Sequence, residues 1–260
     1  MKDAHRRHVV MIVQARMGSV RLPGKVLVDI QGQPMLARVV ERGRRAETVD
    51  QVVVATTTDP ADDPVVDLCE RRKFTVVRGD AFDVLDRYYQ AARALAADVI
   101  VRVTGDCPLL DPEVVDRTVR ALLESDPPAD LALNRFVDDR TYPVGLDAEV
   151  CTIAALERAW READQPYQRE HVMPFLYDPP GRFRVIHVRN EEDYGDLRWT
   201  VDTAEDLELV RSIYAALAPD ETFGWRQVLE LIEAHPELAA INASVRARGL
   251  HEADPRGHKP

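Results

Sequence analysis

Residues 14–25, QARMGSVRLPGK, put three cations and two glycines on one short stretch directly after an apolar run. Arg16, Arg21 and Lys25 carry charge suited to phosphate oxygens. Gly18 and Ser19 allow a tight turn whose backbone N–H groups could face an anion. Pro23 and Gly24 close the far side of that turn. The stretch fails as a Walker A loop: five residues rather than four separate Gly18 from Gly24, and Val26 follows Lys25 where a metal-binding Ser or Thr is required. It holds no GxGxxG either, and a solvated basic loop is its ordinary alternative.

Two aspartates complete a second chemical set. Asp106 follows the apolar run DVIVRVT in VTGDCPLLDP (103–112), and Asp202 follows LRWTV in LRWTVDTAEDLELV (197–210). Mg²⁺ binds one or two carboxylates and takes its other oxygens from phosphates and water. Alone, Asp106 reads equally as a turn former, and Asp202 with Thr203 as a helix start. Asp111, just before Pro112, reads as an N-cap, and Thr203 with Asp206 has capping-box spacing with Asp in place of Glu. Taken together, two strand-end aspartates and a three-cation loop form a metal–triphosphate site, a combination more specific than its parts.

The elements that must position these residues follow from periodicity. Strands are predicted at 9–14, 51–56, 74–77, 98–104 and 130–133, with amphipathic helices between them, as expected for a parallel sheet covered on both faces. In such a sheet ligands sit beyond the carboxyl ends of the strands. After about residue 134 the pattern loosens. RTYPVGLDAEVCT reads as extended and TIAALERAWREA as a helix; RFRVIHVR and LRWTVD read as strands, and AEDLELVRSIYAAL as a helix. The expected organisation is one α/β domain over 1–250, with a less regular portion at about 134–197 and a disordered tail at 251–260.

Composition narrows the partners. The 260 residues carry a net charge of −11, so nucleic acid is an unlikely partner and any bound anion must be met by local positive charge. Cys69, Cys107 and Cys151 form no CxxC pair, which fits a reduced, cytoplasmic setting without disulfides or zinc. No apolar stretch approaches membrane-spanning length.

QARMGSVRLPGKVL resembles the N-terminal signature of the sugar-activating cytidylyltransferases, the group of the CMP-ketodeoxyoctonate and CMP-sialic acid synthetases. Within it, the chain looks most like the spore-coat polysaccharide biosynthesis protein F family. ATTTDPADDPVVDLCE, VVRGDAFDVLDRYYQAA, VRVTGDCPLLDPEVVD, RTYPVGLDAEV, REHVMPFLY and WTVDTAEDLELV carry the likeness in order, over roughly residues 9 to 215. It implies a glycosyltransferase-A-like (nucleotide-diphospho-sugar transferase) α/β fold, three-layer α/β/α with a twisted, mostly parallel mixed sheet. By position, Arg16, Arg21 and Lys25 would hold CTP phosphates, and Asp106 and Asp202 would coordinate Mg²⁺. Gln14, Ala15, Gly18, Ser19 and Gly105 would line the nucleotide, and Thr56 and Thr58 would lie near base or ribose. Thr104 stands where the ketodeoxyoctonate synthetases have a base-contacting Gln.

The implied activity is Mg²⁺-dependent transfer of CMP from CTP to a sugar, sugar acid or related small acceptor, by a homodimer. Acceptor candidates are Asp147 and Glu149 in GLDAEV, and Arg169 and His171 in QREHV. Arg169 could pair with an acceptor carboxylate or phosphate; His171 could orient a hydroxyl or be an ordinary helix-surface histidine. Tyr88 and Tyr89 read as packing residues. Another nucleotide, a phosphonate acceptor and a catalytically silent nucleotide-binding module stand as alternatives.

Overall fold

The computed structural model describes residues 7–136 and 139–246; the tail expected at 251–260 lies outside the described residues. The strands are β1 (Val9–Gln14), β2 (Asp29–Ile30), β3 (Gln33–Pro34), β4 (Gln51–Thr57), β5 (Thr75–Gly79), β6 (Val99–Thr104), β7 (Leu131–Leu133), β8 (Glu149–Thr152) and β9 (Val185–His187). The helices are α1 (Met35–Gly43), α2 (Asp63–Arg72), α3 (Val84–Ala94), α4 (Pro112–Leu123), α5 (Ile153–Glu162), α6 (Pro166–His171), α7 (Pro174–Tyr177), α8 (Ala204–Leu217), α9 (Trp225–Ala234) and α10 (Pro236–Ala240).

Seven strands form one sheet in the order β5-β4-β1-β6-β8-β7-β9. β4, β1 and β6 run parallel, β8 is antiparallel to both its neighbours, and β9 is parallel to β7. The apolar runs form strands because β-branched side chains suit a sheet buried on both faces. Period two then sorts β1: Val9, Met11 and Val13 pack with α1, α2 and α4, while Val10 and Ile12 pack with α3 and α5. That gives three layers, helices over and under a mixed sheet. A third apolar cluster, including Trp199, Val210, Ile213, Phe223 and Trp225, seats α8 and α9 against the edge of this core.

The chain leaves β1 toward β4 and β5, then returns to place β6 on the other side of β1. Such a reversal opens a crevice at the carboxyl ends of β1 and β6. Gly105 makes that crevice narrow. Its amide donates to the Gln14 carbonyl at 2.8 Å, and a Cβ there would stand 2.9 Å from that same oxygen.

Both expected caps are present. Asp111 accepts from the amides of Glu113 and Val114, and the Thr203 hydroxyl and Asp206 carboxylate cap each other's backbone N–H. Tyr88 and Tyr89 pack: the Tyr88 hydroxyl donates to the Ile12 and Val103 carbonyls, and Tyr89 stacks on Trp160 at 4.4 Å. One expected strand is absent among the described residues. LRWTVD joins no ladder, and its single bridge pairs Val144 with Arg198, because its backbone bonds go to two different loops. Val144 exchanges bonds with Leu197 and Trp199, whereas the Val201 amide donates to the Asp106 carbonyl. The three cysteines are buried free thiols.

Asp111 also accepts from the Trp225 amide at 2.8 Å, so one buried carboxylate starts α4 and anchors α9. Asp111→Ala is expected to lose about 2–3 kcal/mol in urea unfolding. A loss below about 0.5 kcal/mol would refute the double anchoring.

Candidate active site

The crevice widens into a cavity of about 630 Å³ over the ends of β1 and β6, within the usual size of small-molecule sites. Gln14, Ala15, Arg16, Gly18, Ser19, Arg21 and Lys25 line one side of it, and Thr104, Gly105, Asp106 and Asp202 the floor. Register explains the floor: Gln14 lies opposite Thr104 in the β1–β6 ladder. Asp202 is delivered by the 199–202 segment, which docks onto the Asp106 carbonyl through the Val201 amide and the Thr200 hydroxyl.

The loop after β1 is held from below. The Met17 amide donates to Asp62 at 2.6 Å, and Asp62 also takes the Thr57 hydroxyl. Gly24 adopts φ +72°, a left-handed conformation that turns the chain into the short helical turn bearing Lys25. One expectation changes here. The Ser19 amide donates to the Met17 carbonyl at 2.9 Å and so closes the loop on itself, which takes one expected anion donor out of use.

Lys25 sits at the centre. Its ammonium donates to Asp106 Oδ2 and Asp202 Oδ1, both at 2.7 Å, and to the Val201 carbonyl at 2.9 Å. Burial pulls its pKa down, but the two carboxylates outweigh burial and hold it above the usual lysine value. Burial likewise would raise Asp202, yet Lys25, Arg198 and Arg21 bring its carboxyl down to about 2. Arg21 reaches Asp202 Oδ2 at 2.9 Å and Arg198 reaches the same oxygen at 2.6 Å. The Thr104 hydroxyl donates to Asp106 Oδ1 at 2.5 Å, so it braces an aspartate. Cys107 lines the cavity too, but burial and then the Asp106 charge push its thiol up, away from nucleophilic use.

The acceptor candidates divide. Asp147 and His171 reach the wall, and Asp147 pairs with Arg140 at 2.5 Å. Glu149 does not reach it. It is buried at 1% exposure beneath the wall, opposite Arg102 in the β6–β8 ladder, and is shared by Arg102 and Arg135. Arg169 is also off the wall: it clamps Asp83 and the Trp160 carbonyl, tying α6 to the start of α3. Neither Thr56, buried in β4, nor the exposed Thr58 lines the cavity.

Sequence reasoning missed Arg87, Arg102, Arg135, Arg140 and Arg198, all on the wall. Two had a local signal: Arg102 interrupts the apolar run VIVRVT, and Arg198 precedes Asp202 by four residues. Arg135 and Arg140 take their place from acids across the following turn, Glu149 and Asp147, and Arg87 from burial on the covered face of α3. Among the described residues the wall carries eight lysine and arginine side chains against four carboxylates, in a chain of net charge −11. Such a cavity draws polyanions.

Asp106 and Asp202 fit a hard divalent cation: each turns a carboxylate oxygen onto the same ammonium, so one cation already satisfies both. Among the described residues no group of three or more acidic, histidine or cysteine side chains is arranged to hold a metal. An ion at the aspartates would therefore complete its shell with phosphate oxygens and water. No helix among the described residues is long and apolar enough to cross a membrane.

Comparison with known proteins places the chain among relatives of one kind. The chain is 31% identical to the spore coat polysaccharide biosynthesis protein SpsF of Bacillus subtilis, over 89% of this chain and 96% of that one. Its structure is similar to that of a cytidylyltransferase from Leptospira borgpetersenii, with TM-score 0.85 and 31% identity over 94% of this chain and 100% of that one. The CMP:2-keto-3-deoxy-manno-octonic acid synthetase complexed with CTP shares the fold, with TM-score 0.63 and 23% identity over 80% of this chain and 99% of that one. A family model described as cytidylyltransferase matches residues 10–240. With that match running from the second residue of β1 to the last of α10, the chain belongs to the cytidylyltransferase family.

Proposed function

We propose that this cytidylyltransferase uses CTP and Mg²⁺ to place CMP on a sugar, sugar acid or related small acceptor, releasing pyrophosphate. The observation that carries the proposal is the cationic wall ending on the paired aspartates Asp106 and Asp202. Surface-polysaccharide or secondary-metabolite biosynthesis in the cytoplasm is the setting we infer, with a homodimer formed through residues 134–197.

An acceptor oxygen attacks the α-phosphorus, a new P–O bond forms, and the bond to the β-phosphate breaks. Negative charge spreads over phosphoryl oxygens, so positioned cations supply most of the stabilisation. Arg16 and Arg21 would grip the triphosphate, and Asp106 and Asp202 would hold Mg²⁺. When bound, the metal neutralises phosphoryl charge and orients the reacting oxygens. Residues 14–16 and Thr104 to Gly105 would frame the nucleoside.

Arg135 and Arg140 on the wall, with Arg102 behind them, support an acceptor that itself carries an anionic group. Asp147 and His171 supply polar contacts for its hydroxyls. Glu149 and Arg169 serve this reading as supports, the first for the wall arginines and the second for α3.

CTP with Mg²⁺ is expected to raise the melting temperature more than ATP, GTP or UTP does, since only a ligand of the folded state stabilises it. Equal shifts for all four would remove the cytidine assignment. Asp106→Asn is expected to lower pyrophosphate release by about a hundredfold or more with folding retained; unchanged turnover would dismiss the metal role. For the acceptor side, Arg135→Gln should raise KM for an acidic acceptor about tenfold or more and leave CTP affinity unaltered. An unchanged acceptor KM would take Arg135 out of recognition.

A further inference from the structure

The Lys25 ammonium has three N–H donors, and all three are spent on Asp106, Asp202 and the Val201 carbonyl. A lysine so engaged cannot also bind a phosphate. It can do so only by giving up one of these three partners, and the carboxylates are the two that a metal would take over. The residues around it show what that release would leave. Asp106 Oδ1 stays braced by the Thr104 hydroxyl, and Asp202 Oδ2 stays held by Arg198 even where Arg21 turns to the triphosphate. The freed atoms are Asp106 Oδ2 and Asp202 Oδ1, the two oxygens now facing the single ammonium.

We propose that Lys25 is a tethered counter-cation that competes with the divalent metal for Asp106 and Asp202, so that the site takes up its metal only together with a triphosphate. The inference rests on the metal assignment made above for this site. Its physics is charge replacement. A divalent ion alone must evict a buried ammonium that has nowhere favourable to go, and it would face Arg21, Arg198 and Lys25 together. With a triphosphate in the cavity the ammonium gains a new anionic partner, and the phosphate oxygens complete the metal's shell. The exchange needs only rotation of the lysine side chain, a flexible four-carbon stem. Lys25 thereby serves two stations, the carboxylates before binding and the phosphates after it.

Arg198 keeps the aspartate pair ready during this exchange. It is held bidentate by Asp206, whose side chain is fully buried and also takes the Asn242 amide. Asp202 therefore does not swing away when Lys25 leaves. Asp106 keeps its aim through Thr104, two residues before it.

The test is Mn²⁺ binding read by electron paramagnetic resonance on the full chain, with no acceptor and no turnover. Wild-type protein is expected to bind Mn²⁺ weakly alone and far more tightly with CTP. Lys25→Met should bind Mn²⁺ alone at least about tenfold tighter than wild type, a floor set by the repulsion between a unit charge and a divalent ion ~4 Å apart at the dielectric constant of water. Its melting temperature should fall in chelator and recover on adding Mn²⁺. Lys25→Gln repeats the measurement should the methionine variant fold poorly, and adding Asp106→Asn to either should abolish the gain. If both neutral variants bind Mn²⁺ no better than wild type while wild type with CTP binds it well, the competition is refuted and the metal site stands. If no form binds Mn²⁺ with or without CTP, the proposal falls together with the metal assignment.

Discussion

Two carboxylates from distant parts of the chain face one ammonium, and the architecture around the cavity serves that contact. Asp106 ends β6, Asp202 ends a segment nearly a hundred residues later, and Lys25 follows β1. Like charges so close repel, so the pair is stable only while a cation sits between them. Breaking a buried pair by removing one partner costs about 3–5 kcal/mol, because the remaining charge stays buried and unpaired. This arrangement therefore obliges the protein always to supply a cation, whether its own or one it binds.

The same constraint accounts for the unequal charge distribution. A chain of net charge −11 resists bringing a polyphosphate near. The cavity reverses this locally by collecting arginines from β6, α3, the loop after β1 and the 134–140 and 195–202 segments. Arginines so close repel one another in turn, and the buried acids answer that. Glu149 lies between Arg102 and Arg135, Asp147 beside Arg140, and Asp206 behind Arg198. Glu149 and Asp206, buried behind the wall, make no claim on substrate. They lower the cost of holding cations together before substrate arrives, which is the preorganisation that phosphoryl transfer needs.

That division also explains what was legible in the sequence. β1, β4 and β6 were readable because a parallel strand buried on both faces must be a continuous apolar run. The Thr203 and Asp111 caps were readable because capping acts over two or three residues. The basic loop and the strand-end aspartates followed from local chemistry and topology. Glu149 and Arg169 were read as substrate contacts because their chemistry suits it, but partners elsewhere claim them. Arg169 meets Asp83 from 86 positions away, and Glu149 meets Arg102 only because β8 runs antiparallel to β6. No helix was assigned over 225–240, although α9 buries Trp225, Val228 and Ile232 at helical spacing, and nothing local tied α9 or α10 to the site.

Their connection to the site lies in the turns just after α10. The Asn242 side-chain amide donates to the Arg198 carbonyl and to Asp206, and the Arg246 carbonyl accepts from Arg21. Asp111 joins the Trp225 amide to the start of α4, just past the loop that carries Asp106. The C-terminal helices thus hold both sides of the aspartate pair, one through Arg198 and the other through Asp111. A carboxylate at a strand end is aimed only as well as the elements behind it are fixed. Here the chain closes on its own active site, and the residues that fix Asp202 come from both sides of it, Arg198 before and Asp206 with Asn242 after.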